Sequence, residues 1–255
     1  MSETLEVNHF KKEILADRPQ IGLWSSLCSP IVADIVSTVG FDWVLIDMEH
    51  SPNEMMTVLS QLQVYRASRT KAIVRPPWND PVITKRLLDL GADTLLFPMI
   101  QSAQEAEMAV RSCRYPPKGI RGVSLVQRAN RFGAVTDYIA RAEEEICVLV
   151  QIETKAALDR VDEIAAVNGV DGVFFGPADL SADFGHLGSP GHPAVVEAIA
   201  GGVERVRAAG KPAGILVGET AQARQWLDRG ARFVACSSDL NLLVRGARSL
   251  IKDLR

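Results

Sequence analysis

A chain of 255 residues, 47% hydrophobic and 23% charged, can bury a large core and has the length of one (β/α)8 barrel, which typically needs about 250 residues. A formal charge of −3 and a pI near 5.9 argue against nucleic acid as a main partner. No apolar run approaches the roughly 18 residues of a membrane span, and the N-terminal stretch lacks a signal peptide's apolar core, so a cytoplasmic location without a membrane partner is expected.

Phe10 to Asp17 reads as a short amphipathic helix, an extra N-terminal element lying as a lid across the bottom of the fold. Gln20 to Trp24 is the first strand, and Pro30 to Val39 a helix with Ser29 as N-cap and Gly40 as terminator. Trp43-Val44-Leu45-Ile46 is a strand buried on both faces that ends abruptly in three ionisable side chains, Asp47, Glu49 and His50. A helix follows over about Asn53 to Tyr65, with Asn53 or Ser51 as N-cap.

Lys71 to Arg75 is the third strand, closed by Pro76-Pro77, and Asn79 or Asp80 caps a helix from Pro81 to Leu90. Thr94 to Phe97 and the helix Ala103 to Arg111 come next. The one long excursion, Tyr115 to Gly133, carries Lys118, Arg121, Arg128 and Arg131 with no acid among them. It reads as a solvated loop or as a basic flap over an acidic substrate, its own chain's or a neighbouring subunit's. After a helical stretch from about Val135 to Glu145, Ile146 to Ile152 is a strand leading to Glu153, and Lys155 to Ala166 is helical. Gly172 to Phe175 runs into Gly176-Pro177-Ala178-Asp179. The helix Pro193 to Ala209, the strands Ala213 to Val217 and Arg232 to Cys236, and a helix after each strand complete the chain. The four cysteines, Cys28, Cys113, Cys147 and Cys236, have no C-x-x-C spacing, which excludes a local zinc knuckle and fits a reducing compartment.

Eight strands alternating with eight helices and no linker predict one (β/α)8 TIM barrel over residues 1–255. An open doubly wound sheet would want a G-x-G-x-x-G turn after an early strand, and there is none. In a barrel the C-terminal strand ends meet at one mouth, here Trp24, Asp47/Glu49/His50, Arg75, Pro98, Gln151/Glu153, Asp179, Leu216 and Ser237/Ser238/Asp239. That mouth has acids, one histidine and one arginine but no lysine, so a metal-dependent route is favoured over Schiff-base chemistry.

Glu153 and Asp179 end successive strands and could share a hard divalent ion such as Mg²⁺ or Mn²⁺, or else pair with arginines. His50 is a candidate general base, and the residues alone favour Asp47 as its partner. Arg75 could hold a substrate carboxylate or a developing enolate oxygen, or form a structural ion pair with Asp47 or Glu49.

Five blocks in one order resemble the class II, metal-dependent pyruvate aldolases of hydroxyketoacids (the HpcH/HpaI aldolase family). They are Gly40–Asn53, Val74–Pro81, Arg114–Val123, Val150–Thr154 and Gly169–Ser181. The resemblance implies reversible cleavage of a 4-hydroxy-2-ketoacid to pyruvate, or an analogue such as hydroxypyruvate, and an aldehyde. It implies His50 as proton acceptor with Asp89 raising its basicity, and Arg75 as transition-state stabiliser. Glu153 and Asp179 would bind Mg²⁺, Mn²⁺ or Co²⁺, and Gln151 with the backbone of Ala178 and Asp179 would hold pyruvate. Trp24 and Leu216 complete the substrate-binding set, and a homohexamer is implied. Met48 stands where better-known members often carry glycine, and the loop Ser124 to Gly133 is closer to glucarate-type members. The alternatives are an acyl-CoA lyase of the malyl-CoA type and a non-catalytic barrel that binds a metal–ketoacid complex.

Overall fold

In the computed structural model of the protein, which describes residues 4–255, eight parallel strands close into a barrel in sequence order. They are β1 (Gln20–Ser25), β2 (Trp43–Asp47), β3 (Lys71–Arg75), β4 (Thr94–Phe97), β5 (Cys147–Ile152), β6 (Gly172–Phe175), β7 (Ala213–Val217) and β8 (Phe233–Ser238). The helices are α1 (His9–Leu15), α2 (Pro30–Ser37), α3 (Met55–Arg66), α4 (Pro81–Asp89), α5 (Ala103–Cys113) and α6 (Tyr138–Glu145). The second half adds α7 (Lys155–Asp159), α8 (Val161–Ala165), α9 (Pro177–Asp183), α10 (Pro193–Ala208), α11 (Thr220–Asp228) and α12 (Asp239–Leu254). Among the described residues no helix is long and apolar enough to cross a membrane.

The barrel, with the extra helix ahead of β1, is the fold the alternation predicts. Ser29, Asp80, Ser102 and Thr154 cap their helices through side-chain oxygens, as residues of these types do at a first turn. Three local expectations change. Glu54 stands at the N-cap of α3, because the Asn53 side chain is drawn inward to the Asp47 carbonyl (2.7 Å) and to Gln61 (2.8 Å). The helix expected over 155–166 breaks at Arg160 (φ −103°, ψ 14°) into α7 and α8. Asp179 lies in the first turn of α9, not at a strand end.

Strand side chains alternate between two apolar layers. Leu23, Val44, Ile46, Val74, Val150 and Phe175 face the helices. Trp24, Trp43, Leu45, Ile73, Leu149, Phe174 and Phe233 fill the barrel interior, joined by Phe10 and Ile14 of α1, which plug the end where the strands begin. Phe10 meets both Trp43 and Phe233 edge-on, with centroids 5.9 Å away in each case. Gly22 is required beside this stack, since a Cβ there would lie inside the Trp43 indole. The interior is plugged at one end and packed along its length, and in barrels of this kind the site is built at the other face, on the C-terminal ends of the strands.

One acid opposes folding at the plugged end. Asp93, just before β4, accepts a hydrogen bond from Thr94 Oγ1 (3.0 Å), yet burial pushes its carboxyl up to about 6. The folded state therefore keeps a proton that the unfolded chain releases above about 4, and stability falls as pH rises from about 4 to about 6. Asp93→Asn is expected to raise the thermal midpoint near pH 7.5 by the equivalent of about 1 kcal/mol, discounted because the residue keeps some solvent access. The gain should vanish below about pH 4 in calorimetry across that range.

Candidate active site

Alternation sets the site. Trp43 and Leu45 point into the barrel, so Asp47 does as well, and the β2–β3 register pairs Asp47 with Arg75. Arg75 binds Asp47 through two donors, Nε to Oδ1 at 2.9 Å and Nη2 to Oδ2 at 2.8 Å. Its third nitrogen, Nη1, lies 2.7 Å from Glu49 Oε2, and the guanidinium stacks 4.9 Å from the Trp24 ring. The ion pair raised as an alternative is thus present with both acids. Burial works to push the Asp47 carboxyl up, but hydrogen bonds and charge from Arg75 outweigh it and hold it below its ordinary value. The Trp24 indole N–H (3.1 Å) and the backbone N–H of Glu49 (3.0 Å) also donate to Asp47. Met48, between them in sequence, turns outward into the helix-facing layer.

Across the mouth, Leu149, Gln151 and Glu153 continue the inward series of β5. Glu153 is buried, and each oxygen accepts one bond: Oε2 from the Met99 N–H (2.8 Å) and Oε1 from Gln151 Nε2 (2.9 Å). Met99 adopts φ 52°, a left-handed conformation unusual for methionine, and aims that N–H at the carboxylate. Burial pushes Glu153 up to about 7 against the Met99 hydrogen bond, and the charges of Glu49 and Asp179 add to the rise. A Cβ on Gly176 would sit 2.7 Å from Glu153 Oε1, so glycine keeps that side of the carboxylate open. Gln151 Oε1 is buried without a donor.

Acids crowded together, an acceptor without a donor and oxygen-only chemistry fit a hard divalent cation held by Glu153 and Asp179. Among the described residues no group of three or more His, Cys, Asp or Glu side chains is placed to hold a metal, so the other ligands would be oxygens from outside this set.

His50 stands at the rim with its side chain 65% exposed, Nε2 being 4.0 Å from Glu49 Oε2. Leu216 packs on the interior cluster beside Trp24's layer. Ala178 and Asp179 lie in the first turn of α9, whose N-cap, Gly176, supplies no side-chain bond. Lys155, the nearest lysine to these acids in sequence, sets its Nζ over the Phe184 ring at 4.5 Å.

Asp89 is not brought to His50 within the chain. It ends α4 on the face where strands begin, bound by Arg121 Nη2 (2.8 Å) and by the Gln127 amide. The excursion after α5 is on that same face, so it does not cover its own chain's mouth. Nor is it merely solvated: Arg121 is fully buried over the Tyr115 ring, Lys118 pairs with Glu143, and Arg131 with Glu6. Sequence reasoning missed Met99, whose only signal is its place after the proline closing β4, and the double engagement of Arg75.

A parallel eight-stranded barrel with carboxylates, an arginine and a histidine gathered at its strand ends is an enzyme scaffold of the lyase-like, proton-transferring kind. Residues 20–246 match the HpcH/HpaI aldolase/citrate lyase family model, and the chain belongs to that family. It is 54% identical over 244 residues to a 4-hydroxy-2-oxo-heptane-1,7-dioate aldolase of Klebsiella pneumoniae, covering 95% of this chain and 92% of that one. It is 52% identical over 246 residues to a pyruvate aldolase of Rhizobium etli, covering 96% and 97%. A crystal structure of an HpcH/HpaI aldolase/citrate lyase family protein from Burkholderia cenocepacia superposes with a TM-score of 0.95 at 41% identity, covering 98% of this chain and all of that one.

Proposed function

We propose that the protein is a metal-dependent aldolase that reversibly cleaves a 4-hydroxy-2-ketoacid to pyruvate, or an analogue such as hydroxypyruvate, and an aldehyde. The observation that carries this is the buried Arg75 facing the oxygen-only pair Glu153 and Asp179, on a chain 52–54% identical to enzymes named as aldolases. A divalent cation (Mg²⁺, Mn²⁺ or Co²⁺) would supply charge that stabilises an enolate and fixes two ketoacid oxygens. The backbone N–H groups of Ala178 and Asp179, free at a helix start, would receive the ketoacid carboxylate, with Gln151 beside them.

His50 takes the proton of the C4 hydroxyl, the C3–C4 bond breaks, and its electron pair stays on C3 as the pyruvate enolate. Arg75 keeps N–H donors beyond its two bonds to Asp47 and turns them to the enolate oxygen. Trp24 and Leu216 border the space the aldehyde leaves. A role for Asp89 on a histidine would have to be exerted on a second copy, since Asp89 lies at the opposite end of its own barrel. A coupled pyruvate-release assay over a panel of 4-hydroxy-2-ketoacids tests the reading. Release from at least one is expected; release from none, or turnover only of a CoA thioester, contradicts it.

A homo-oligomer, a hexamer on the family resemblance, belongs to the same proposal. The stripe Leu243, Ala247, Leu250 and Leu254 has helical spacing, but from Leu240 onward α12 is exposed except for half-buried Val244. Leu243 is 62% and Leu254 81% exposed, which argues for a second copy as their cover. Light scattering at micromolar concentration should give a multiple of 27.8 kDa, and Leu243→Asp with Leu250→Asp should lower it; a monomeric wild-type mass contradicts the assembly. The four cysteines are free thiols, which supports a cytoplasmic location.

A further inference from the structure

A guanidinium sealed from water stands behind the one carboxylate that the end of α4 presents to solvent. The side chain of Arg121 is 0% exposed. Its guanidinium lies 4.4 Å from the Tyr115 ring and 5.7 Å from that of Tyr138, and Nη1 and Nη2 each reach the Tyr138 hydroxyl at 3.4 Å. Nε has no partner, and among the described residues Asp89 is the one carboxylate within ion-pair distance. Arg121 Nη2 donates to Asp89 Oδ1 at 2.8 Å. The Gln127 amide reaches Oδ2 at 3.2 Å while its oxygen takes the Tyr115 hydroxyl at 3.1 Å, which ties the cage together. Even so, the Asp89 side chain stays 26% exposed. Burying a guanidinium is costly, and here the cost goes into fixing a carboxylate that keeps lone pairs for a donor from outside. At the mouth, His50 shows the reverse. It is 65% exposed, and its one carboxylate neighbour among the described residues, Glu49 Oε2, stands 4.0 Å from Nε2, beyond hydrogen-bond distance.

We propose that Arg121 is the positioning residue for Asp89: clamped under Tyr115 and Tyr138, it holds the carboxylate in the orientation that receives the imidazole of the partner subunit's His50. This rests on the reading of His50 as the base and of Asp89 as acting across copies. The two groups lie at opposite ends of one barrel, and they meet when the strand-start face of one copy covers the mouth of another. During cleavage one imidazole nitrogen takes the C4 hydroxyl proton and the other keeps its proton in a hydrogen bond to Asp89. The carboxylate stabilises the imidazolium, and neither Asp89 nor Arg121 exchanges a proton. What Arg121 contributes is direction. Its planar fork fixes the plane of the carboxylate, which the single point charge of a lysine would leave free to turn.

The test is complementation between two full-length chains, one carrying His50→Ala and the other Asp89→Asn, co-expressed with different tags and purified over both. Each chain alone should release pyruvate poorly at saturating Mg²⁺, His50→Ala by roughly 10²-fold or more and Asp89→Asn by roughly tenfold or more. The mixed oligomer should recover several-fold over either parent, because intact His50 on one copy meets intact Asp89 on the other. Arg121→Met, which removes the charge and keeps an apolar filling, is then added to one chain at a time. On the His50→Ala chain, which supplies Asp89, it should return activity to the parents' level. On the Asp89→Asn chain it should leave the recovery in place, which also shows that the variant folds and assembles. Recovery lost from both chains alike makes Arg121 structural and overturns the proposal, and recovery lost from neither overturns it too. If Arg121→Met fails to fold, Arg121→Lys takes its place with the same asymmetry required. The underlying reading fails separately: no recovery in the mixture without any Arg121 change means that Asp89 does not act on the partner subunit's His50.

Discussion

Chelation with EDTA is expected to lower aldol cleavage roughly a thousandfold or more, about 4 kcal/mol of transition-state stabilisation, and Mg²⁺, Mn²⁺ or Co²⁺ to restore it. The argument starts from cost. Glu153 is buried among Glu49 and Asp179, and its proton is held up to about 7, so without a cation the pocket carries its acids at a penalty. A divalent ion relieves that penalty and must displace the proton to bind, so its affinity should fall as pH drops through about 7. Glu153→Gln removes one charge while keeping the Met99 hydrogen bond, and Asp179→Asn removes the other. Both should lose Mg²⁺ affinity and activity together in calorimetric titration and turnover. Full activity in EDTA, or a glutamine variant that binds Mg²⁺ as tightly as the wild type, contradicts the assignment.

The second large effect separates Arg75 from His50. Arg75→Lys keeps a charge but loses the planar fork that grips Asp47 at 2.9 and 2.8 Å. Cleavage and pyruvate methyl-proton exchange should both fall by roughly 10²-fold or more, because on the proposed mechanism both pass through an enolate whose charge Arg75 holds. His50→Ala should lower cleavage by roughly 10²-fold or more, in the range of a lost general base, and leave metal affinity unchanged. A thermal midpoint on each variant shows whether the Asp47 pair was also holding the fold, since removing one partner of a buried ion pair costs about 3–5 kcal/mol. Metal released by His50→Ala would make the histidine a ligand. Exchange intact in Arg75→Lys would make the arginine structural.

The fold was legible because strands and helices here carry unlike signals. Runs such as Trp43 to Ile46 are apolar on both faces, helices open on Ser29, Asp80 and Ser102, and prolines close β3 and β4. That same double-faced burial hid which strand residues point inward. When Val44 and Leu45 are equally apolar, the period of two shows only once the pairing register is known, so the pairing of Asp47 with Arg75 could be raised only as one alternative. Asp179 followed an apolar run and was read as a strand end; the proline at the first helical position was the overlooked sign of α9. The long excursion was legible only in part, for a topological reason. Its four basic residues suggested a flap, and a segment between α5 and β5 lies on the face where strands begin, so only a second copy's mouth is left for it to cover. The acids that neutralise it, Glu6, Asp89 and Glu143, come from distant parts of the chain.

The central claim is that this mouth makes a pyruvate enolate without a covalent amine. Exchange of pyruvate methyl protons in D₂O, followed by proton NMR with the Mg²⁺-loaded protein and no aldehyde, tests it most directly. The account predicts exchange that stops in EDTA and in Arg75→Lys, with borohydride plus pyruvate leaving both mass and activity of the protein unchanged. Exchange that persists in EDTA, or a borohydride adduct on a lysine, would contradict it.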